Sequence, residues 1–241
     1  MNIPTYYLRN HTFACLCDRH YVILDLLADM YLRVEKRNFE ALVHCTNVWS
    51  LSSTYPHESR NGTLTDESRT LLSELIARGL LTENPDHANG TPEISVSIPV
   101  QTLMSDVERI DLNHCVRRVF SFLASAAIAA VWLKQPISQT VSWVIERKRR
   151  RKHAPAQFNV DLARDLIAIF CRLRPFYNRR YLCLFDSLAL LNFLARYDIF
   201  PTWVFGVQSE PFAAHCWVQH DEFVLNDTVD RVRLYTPLMA V

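Results

Sequence analysis

A cysteine stands at the start of a helical pattern in the C-terminal third of the chain, directly after two arginines. The stretch RRYLCLFDSLALLNFLARYDIF (179–200) places apolar residues at helical spacing behind Cys183, and Asp198 closes the pattern. This spacing predicts a buried helix that begins at Cys183. A thiol at this position could be a core side chain, since free cysteines are often buried. It could also be a nucleophile, because a helix N-terminus and nearby cations both favour the thiolate.

Three strand-like segments follow this helix: FPTWVFGVQ (200–208), AAHCWVQH (213–220) and EFVLND (222–227). His215 and Asp227 fall on neighbouring antiparallel strands of this pattern, which can bring an imidazole and a carboxylate into hydrogen-bonding reach. A cysteine on a helix N-terminus, then a histidine and an aspartate on successive strands, is the arrangement of papain-like and transglutaminase-like enzymes. In those enzymes the histidine takes the thiol proton and the acid holds the imidazole.

Each of these residues also has a purely structural interpretation. Cys183 could be a core residue, His215 a hydrogen-bonded interior histidine, and Asp227 a turn residue. Cys216 is a rival thiol, but it adjoins His215 on a strand, so its side chain should point to the opposite face. The combined order of helix, strand and strand with Cys, His and Asp at suitable ends is much rarer than any one of its parts. The sequence therefore favours a catalytic triad.

The chain divides into two parts joined by a turn-rich linker. The first, residues 1–84, contains a small set of elements that predict a winged-helix-like module: strands at 12–17, 21–25 and 30–34, and helices at 39–49 and 65–79. Residues 85–99 form the linker, and residues 100–241 form a second domain of helices followed by an antiparallel sheet. The predicted fold class is α+β, with a papain/transglutaminase-like C-terminal domain.

Composition argues against nucleic acid and membrane as partners. The net charge is only +1 over 241 residues. The basic run RKRRRK (147–152) has no interleaved aromatic residues and is typical of a solvated connector. The uncharged run at 119–133 is shorter than the ~20 residues that a membrane helix needs, so it is better explained as a buried-core helix.

The cysteines indicate reduced thiols in a cytoplasmic protein. There are seven of them, an odd number without a repeating pattern, and no signal peptide is visible at the N-terminus. Cys15 and Cys17 lack the spacing of zinc or thioredoxin sites and have no second pair, so no metal is expected. The chain has only four glycines and no phosphate-binding loop. We expect no cofactor.

The C-terminal motifs resemble a known family. CLFDSLALLNFL, FGV, PFAAHCWVQ and VLND are similar to the leader peptidase (the B protein) of lasso peptide biosynthesis, whose core is transglutaminase-like. The chain departs from the family at Asp186, where Arg or Lys is frequent, and at Cys216, where Ala or Ser is frequent. The N-terminal part resembles the peptide-recognition element of ribosomal-peptide maturation systems, which here is fused to the peptidase.

The resemblance implies a cysteine peptidase that cuts the leader from a lasso precursor peptide, so that an asparagine-synthetase-like cyclase can close the macrolactam. Cys183 would attack the scissile carbonyl, His215 would act as base and then as acid, and Asp227 would orient His215. The backbone N–H of Cys183 is the natural oxyanion donor. Two alternatives stay open. One is an acyltransferase or amidase that uses the same triad, and the other is a non-catalytic scaffold that binds a peptide.

A flexible leader peptide is expected to bind by adding a strand to an open sheet edge, because backbone hydrogen bonds offset its ordering entropy. The strand at 30–34 is the last before the first helix and is the predicted edge, with the helix at 65–79 as the second wall. The predicted leader-binding residues lie on these two elements: Met30, Tyr31, Leu32, Arg33, Val34, Leu72, Leu75 and Ile76.

Overall fold

The computed structural model describes residues 5–39, 47–48, 66–89, 96–104, 115–150, 158–177, 180 and 182–241. Contacts divide the chain into two compact units. The N-terminal unit is Met1–Ser95 with Val207–Phe212, and the C-terminal unit is Val96–Gly206 with Ala213–Val241.

Eleven strands lie in the described residues: β1 Thr5–Leu8, β2 Thr12–Cys17, β3 His20–Asp25, β4 Met30–Glu35, β5 Asn47–Val48, β6 Leu81–Thr82, β7 Gln101–Thr102, β8 Thr202–Gln208, β9 Ala213–His220, β10 Phe223–Val224 and β11 Thr236–Ala240. The α-helices whose ends the structure defines there are α1 Asp66–Ala77, α2 Cys115–Trp132, α3 Ile137–Arg149, α4 Val160–Leu173, α5 Cys183–Leu194 and α6 Val229–Val232.

Two small sheets build the described part of the N-terminal unit. One is an antiparallel meander, with β3 between β2 and β4. Asp18 and Asp29 adopt left-handed φ angles of 53° and 52° in the two turns that connect these strands. In the other sheet, β1 pairs with β5 in parallel and with β6 antiparallel. The meander was predicted from the sequence. The second sheet was not, because strands of two to four residues give no readable alternation.

Helix α1 covers the core of the N-terminal unit. Acidic residues occupy its first turn, where they stabilise the helix dipole, and Gly79 follows its end with a φ of 69°. Leu75 is 1% exposed and packs in a cluster with residues of the meander, among them Tyr21 and Val34. The helix predicted at 65–79 is therefore confirmed over the residues that the structure describes.

The other helix predicted for this unit, at 39–49, lies mostly outside the described residues. At its far end Asn47 and Val48 form strand β5, so the prediction is wrong there. The two strand residues pair with β1, which helical spacing could not reveal because the partner lies about 40 residues away in the chain. The winged-helix-like assignment of this unit stays a prediction.

A five-stranded sheet and a buried helix form the centre of the C-terminal unit. The strand order is β11-β8-β9-β10-β7. Helix α5 packs against β9 and α2, and every residue from Ser187 to Leu194 is buried. Because a helix that is apolar on all sides is stable only inside a core, the apolar sequence of α5 accounts for its buried position.

The C-terminal unit differs from the sequence prediction at both ends of the sheet. The segment at 222–227 forms only the two-residue strand β10, and Asp227 lies in a bend beyond it. Strand β11, which borders β8 at one end of the sheet, was not predicted. Its sequence contains Pro237, and a proline lowers the strand signal although it is tolerated on an edge strand.

The basic run at 147–152 was predicted to be a solvated connector, and this is wrong for its first three residues. They form the last turn of α3. Arg147 donates to the buried Asn192 side chain, and Lys148 donates to the Val241 carbonyl at 2.7 Å. In the part of the chain that the structure describes, no helix has both the length and the apolar character needed to cross a membrane.

Gly206 marks a close approach between β8 and its neighbours. A Cβ atom at this position would lie 2.8 Å from the Trp217 ring and 3.0 Å from the Tyr235 Cβ. We expect Gly206→Ala to lower the free energy of unfolding by about 1–3 kcal/mol, because a buried indole ring cannot move aside. Urea denaturation measures this value. Ser142→Ala, on the exposed face of α3, is the control and should change it by less than about 0.5 kcal/mol. An unchanged midpoint for Gly206→Ala would contradict the prediction.

Candidate active site

Cys183 is the first residue of helix α5. Leu182 precedes it in an extended conformation, with φ −130° and ψ 125°, and makes no side-chain capping hydrogen bond. The backbone N–H groups of the first turn therefore point out of the helix without a side-chain cap from this position. The partial positive charge at a helix N-terminus favours a thiolate at Cys183 and can also stabilise a negative charge that develops beside it.

His215 and Asp227 form a buried hydrogen-bonded pair. His215 Nε2 lies 2.5 Å from Asp227 Oδ2, and both residues are less than 9% exposed. The other carboxylate oxygen of Asp227 accepts the Thr228 N–H at 2.8 Å. Because Asp227 occupies Nε2, the opposite ring nitrogen, Nδ1, is the one left for the thiol. Both hydrogen bonds fix the carboxylate, so the ring orientation of His215 is set by the fold.

The thiol of Cys183 interacts with the His215 side chain and with Cys216, and both interactions favour its ionised form. Strand alternation does separate the two neighbours on β9. The His215 ring stacks with Trp217, and the Cys216 sulfur lies 3.8 Å from the Ser187 hydroxyl of α5. The Cys216 side chain thus points away from His215, as alternation predicts, while the Cys183 thiol at the helix end interacts with both residues.

These contacts set the protonation states of the site. Hydrogen bonds from Cys216 and then from His215 outweigh burial and lower the pKa of Cys183 to about 4. Burial disfavours the imidazolium, yet hydrogen bonds with Asp227 and Cys183 raise the pKa of His215 to about 9. Burial raises the pKa of Cys216 well above its ordinary value. Cys183 and His215 therefore form a thiolate–imidazolium pair at neutral pH, and Cys216 stays a neutral thiol.

A polar network that is not apparent from the sequence pattern supports the site. The Asn226 amide donates to the Ser187 hydroxyl at 2.9 Å, and that hydroxyl donates to the Cys216 carbonyl at 3.3 Å. The Asn226 side-chain oxygen accepts the Val218 N–H at 2.7 Å, which holds the bend before Asp227 against β9. The sequence feature that could have indicated this network is the presence of two polar residues, Ser187 and Asn226, inside otherwise apolar runs.

The predicted leader-binding residues fall into two groups. Val34 and Leu75 are 6% and 1% exposed and belong to the core of the N-terminal unit, so their side chains are not open to a peptide as the sequence suggested. The other six keep partly or fully exposed side chains: Met30, Tyr31, Leu32, Arg33, Leu72 and Ile76. Within the described residues, β4 is an outer strand of its sheet, as expected for an edge that accepts a peptide.

Comparison with known proteins places this site within a family. A family model described as the transglutaminase-like superfamily matches residues 113–240, which is more than half of the chain and includes Cys183, His215 and Asp227. The chain belongs to the transglutaminase-like superfamily. Neither the search of curated proteins nor the search of solved structures gave a match. Among the described residues, no group of three or more His, Cys, Asp or Glu side chains could hold a metal ion.

The pKa values of the pair predict how fast Cys183 reacts with iodoacetamide at each pH. The thiolate persists until the pH falls through about 4, and the imidazolium persists until the pH rises through about 9. We expect alkylation of Cys183 to be half-maximal near pH 4 and to change again near pH 9, measured by mass spectrometry of the peptide that contains Cys183. Cys171 is the internal control. The residue as a whole is exposed, but partial burial of its sulfur raises the pKa of its thiol, so it should react only at alkaline pH. A Cys183 profile like that of Cys171 would contradict the ion pair.

Proposed function

We propose that this protein is a cysteine peptidase that removes the leader from a ribosomally made lasso precursor peptide in the cytoplasm. An asparagine-synthetase-like cyclase then closes the macrolactam on the released core. The observation that carries the proposal is the contact between Cys183 and the His215–Asp227 pair at the N-terminus of α5. The similarity of the motifs between Cys183 and Asp227 to lasso leader peptidases supports the choice of substrate.

The first half-reaction follows from the ion pair. The Cys183 thiolate attacks the scissile carbonyl carbon, and the carbonyl oxygen takes the negative charge. The Cys183 N–H, at the start of α5, stabilises this oxyanion. As the tetrahedral intermediate collapses, the His215 imidazolium gives its proton to the leaving amine. A thioester between Cys183 and the leader remains, and the core peptide leaves with a free amino terminus.

The second half-reaction distinguishes a peptidase from an acyltransferase. In a peptidase, neutral His215 removes a proton from water, which attacks the thioester and releases the leader as a carboxylic acid. In an acyltransferase, an amine takes the place of the water. Asp227 holds the ring in one orientation through both steps. The chemistry up to the acyl-enzyme is shared, so the acceptor has to be identified by experiment.

The direct test incubates the protein in H₂¹⁸O with a synthetic lasso precursor peptide. We expect two products by mass spectrometry, a core peptide and a leader whose new carboxylate carries one ¹⁸O atom. A leader joined to an added amine, without ¹⁸O, would instead identify the acyltransferase. An intact precursor together with unreactive Cys183 would support the peptide-binding scaffold and overturn the proposal.

The leader is proposed to lie along β4, in a groove bordered by α1. Met30 and Ile76 are 54% and 43% exposed and supply apolar contacts on the two walls. A buried apolar contact at a peptide interface often contributes a factor of ten or more to affinity. We therefore expect Met30→Asp and Ile76→Asp each to weaken leader binding by about 10-fold. Fluorescence anisotropy measures this affinity, with both substitutions made in the catalytically inactive Cys183→Ala protein so that the peptide stays intact.

The control for this binding experiment is Val131→Asp. Val131 is 59% exposed on α2 of the C-terminal unit, so the substitution adds the same charge at an equally exposed apolar position. Its affinity for the leader should match that of the parent protein. If Val131→Asp weakens binding and the two N-terminal substitutions do not, the leader binds the C-terminal unit and the proposed groove is wrong.

A further inference from the structure

A buried ion pair lies beside the backbone that leads into Cys183. Arg174 follows helix α4, Asp186 lies in the first turn of α5, and the Arg174 Nε donates to Asp186 Oδ1. Their side chains are only 4% and 17% exposed. The mechanism proposed above uses neither residue. A buried ion pair adds little stability beyond an apolar replacement of similar volume, so stability alone does not account for it.

The pair binds three backbone groups of the segment before the nucleophile. The two terminal nitrogens of Arg174 donate to the carbonyls of Tyr177 and Arg180, at 3.1 and 2.9 Å. The second oxygen of Asp186 accepts the Leu182 N–H at 3.0 Å. The backbone on either side of the α4–α5 connection is thus tied to one ion pair. Because Leu182 is the residue directly before Cys183, its orientation determines where the first N–H of α5 points.

An aromatic pair holds the guanidinium in place. The Arg174 guanidinium lies over the Phe185 ring at 5.1 Å, and the Tyr177 ring stacks on the same Phe185 at 5.3 Å. Phe185 is fully buried. The arginine is therefore fixed by a cation–π contact as well as by its hydrogen bonds, and this is the arrangement expected of a rigid support.

The Asp186 carboxylate of the pair also interacts with Cys183. The ionisable groups that contact Cys183 are His215 and Cys216 from β9, and the Asp186 carboxylate interacts with it from within α5. A carboxylate one turn from a thiolate opposes the thiolate charge, and the Arg174 guanidinium offsets this repulsion. The ion pair can therefore hold the backbone through Asp186 without the electrostatic cost that an isolated carboxylate would impose.

We propose that Arg174 and Asp186 are positioning residues, which hold the Leu182–Cys183 backbone so that the thiolate and the first N–H of α5 face the same carbonyl group. The inference rests on the proposed nucleophilic role of Cys183. A displacement of about 1 Å at such a site costs on the order of 100-fold in rate, although neither residue touches the substrate.

Two variants test the positioning role. Burial already raises the pKa of Asp186, and Arg174→Met removes the partner that opposes this rise. The carboxyl is then neutral at the pH where Cys183 titrates, so the alkylation midpoint of Cys183 should stay near that of the parent protein while kcat falls by about 10–100-fold. The double variant Arg174→Met/Asp186→Leu removes both charges and keeps an apolar interior. Its alkylation midpoint should stay near that of the parent protein, while kcat falls by a similar factor and KM changes little.

Further variants supply the rescue and the control. Asp186→Asn keeps an acceptor for the Leu182 N–H and should retain more activity than the double variant. Arg164→Gln removes an exposed ion pair with Asp161 on α4 and should change nothing. Circular dichroism melting reports the folded fraction of each protein. Loss of activity only in proportion to that fraction, or parental kcat in every variant, would overturn the inference. An ordinary alkylation profile for Cys183 in the parent protein would instead refute the proposed nucleophile.

Discussion

Cys183→Ala is expected to abolish cleavage of the precursor peptide and to leave its binding unchanged. The substitution removes the sulfur that would form the thioester, and no other group in the site can replace a thiolate with a pKa of about 4. Removal of a covalent nucleophile costs on the order of 10⁴-fold or more in kcat. Liquid chromatography with mass spectrometry, over many hours and at enzyme concentrations close to those of the peptide, measures a loss of this size.

Two other cysteines provide matched controls. Cys171 is exposed on α4, and Cys171→Ala should cleave at the rate of the parent protein. Cys216→Ala removes a hydrogen bond to the Cys183 sulfur but keeps the nucleophile, so the Cys183 pKa should rise while cleavage persists at a rate reduced by about 10-fold or less. The opposite outcome, cleavage by Cys183→Ala and an inactive Cys216→Ala, would make Cys216 the nucleophile.

His215→Ala should be nearly as severe, with a loss in kcat of about 10³–10⁴-fold. This change removes a hydrogen bond and the positive charge that help to keep Cys183 ionised, and it also removes the acid that protonates the leaving amine. The half-maximal pH for alkylation of Cys183 should move upward from about 4 in the same variant. Single-turnover kinetics with the precursor peptide and the iodoacetamide profile measure the two effects separately.

Asp227→Ala is the graded comparison for this prediction and should retain more activity than His215→Ala, because Asp227 orients the imidazole without touching the substrate. Its carboxylate helps to raise the pKa of His215 to about 9, so its loss should move the alkaline limb of the pH profile to lower pH. Equal activity of Asp227→Ala and the parent protein, with an unmoved alkaline limb, would remove Asp227 from the triad.

Local pattern was sufficient to place the two reactive groups on their elements. The apolar spacing after Cys183 predicts a helix that begins at that residue, and α5 begins there. Alternation and turn residues predict the strand that carries His215. These features depend on neighbours within a few residues, so their periodicity is visible in the sequence. The same argument explains why the meander of β2, β3 and β4 was predicted with small errors at its ends.

Features that depend on contacts between distant segments could not be predicted from local periodicity. Asp227 lies in a bend that Asn226 ties to β9, and Val34 and Leu75 are turned into a core that forms only when the meander and α1 meet. Alternation along β9 assigns Cys216 to the opposite face from His215, but it contains no information about a helix end that contacts both residues.

The sequence by itself determined the order of the candidate catalytic residues along the chain: a cysteine at a helix start, a histidine on a strand and an aspartate after it. Only the tertiary structure placed Cys216 beside the Cys183 thiol and paired Arg174 with Asp186 next to the backbone of Leu182. The physical reason is the range of the interactions. Helical and strand periods arise from the backbone of a single segment, whereas a hydrogen bond between α5 and β9 depends on how two separately specified elements pack.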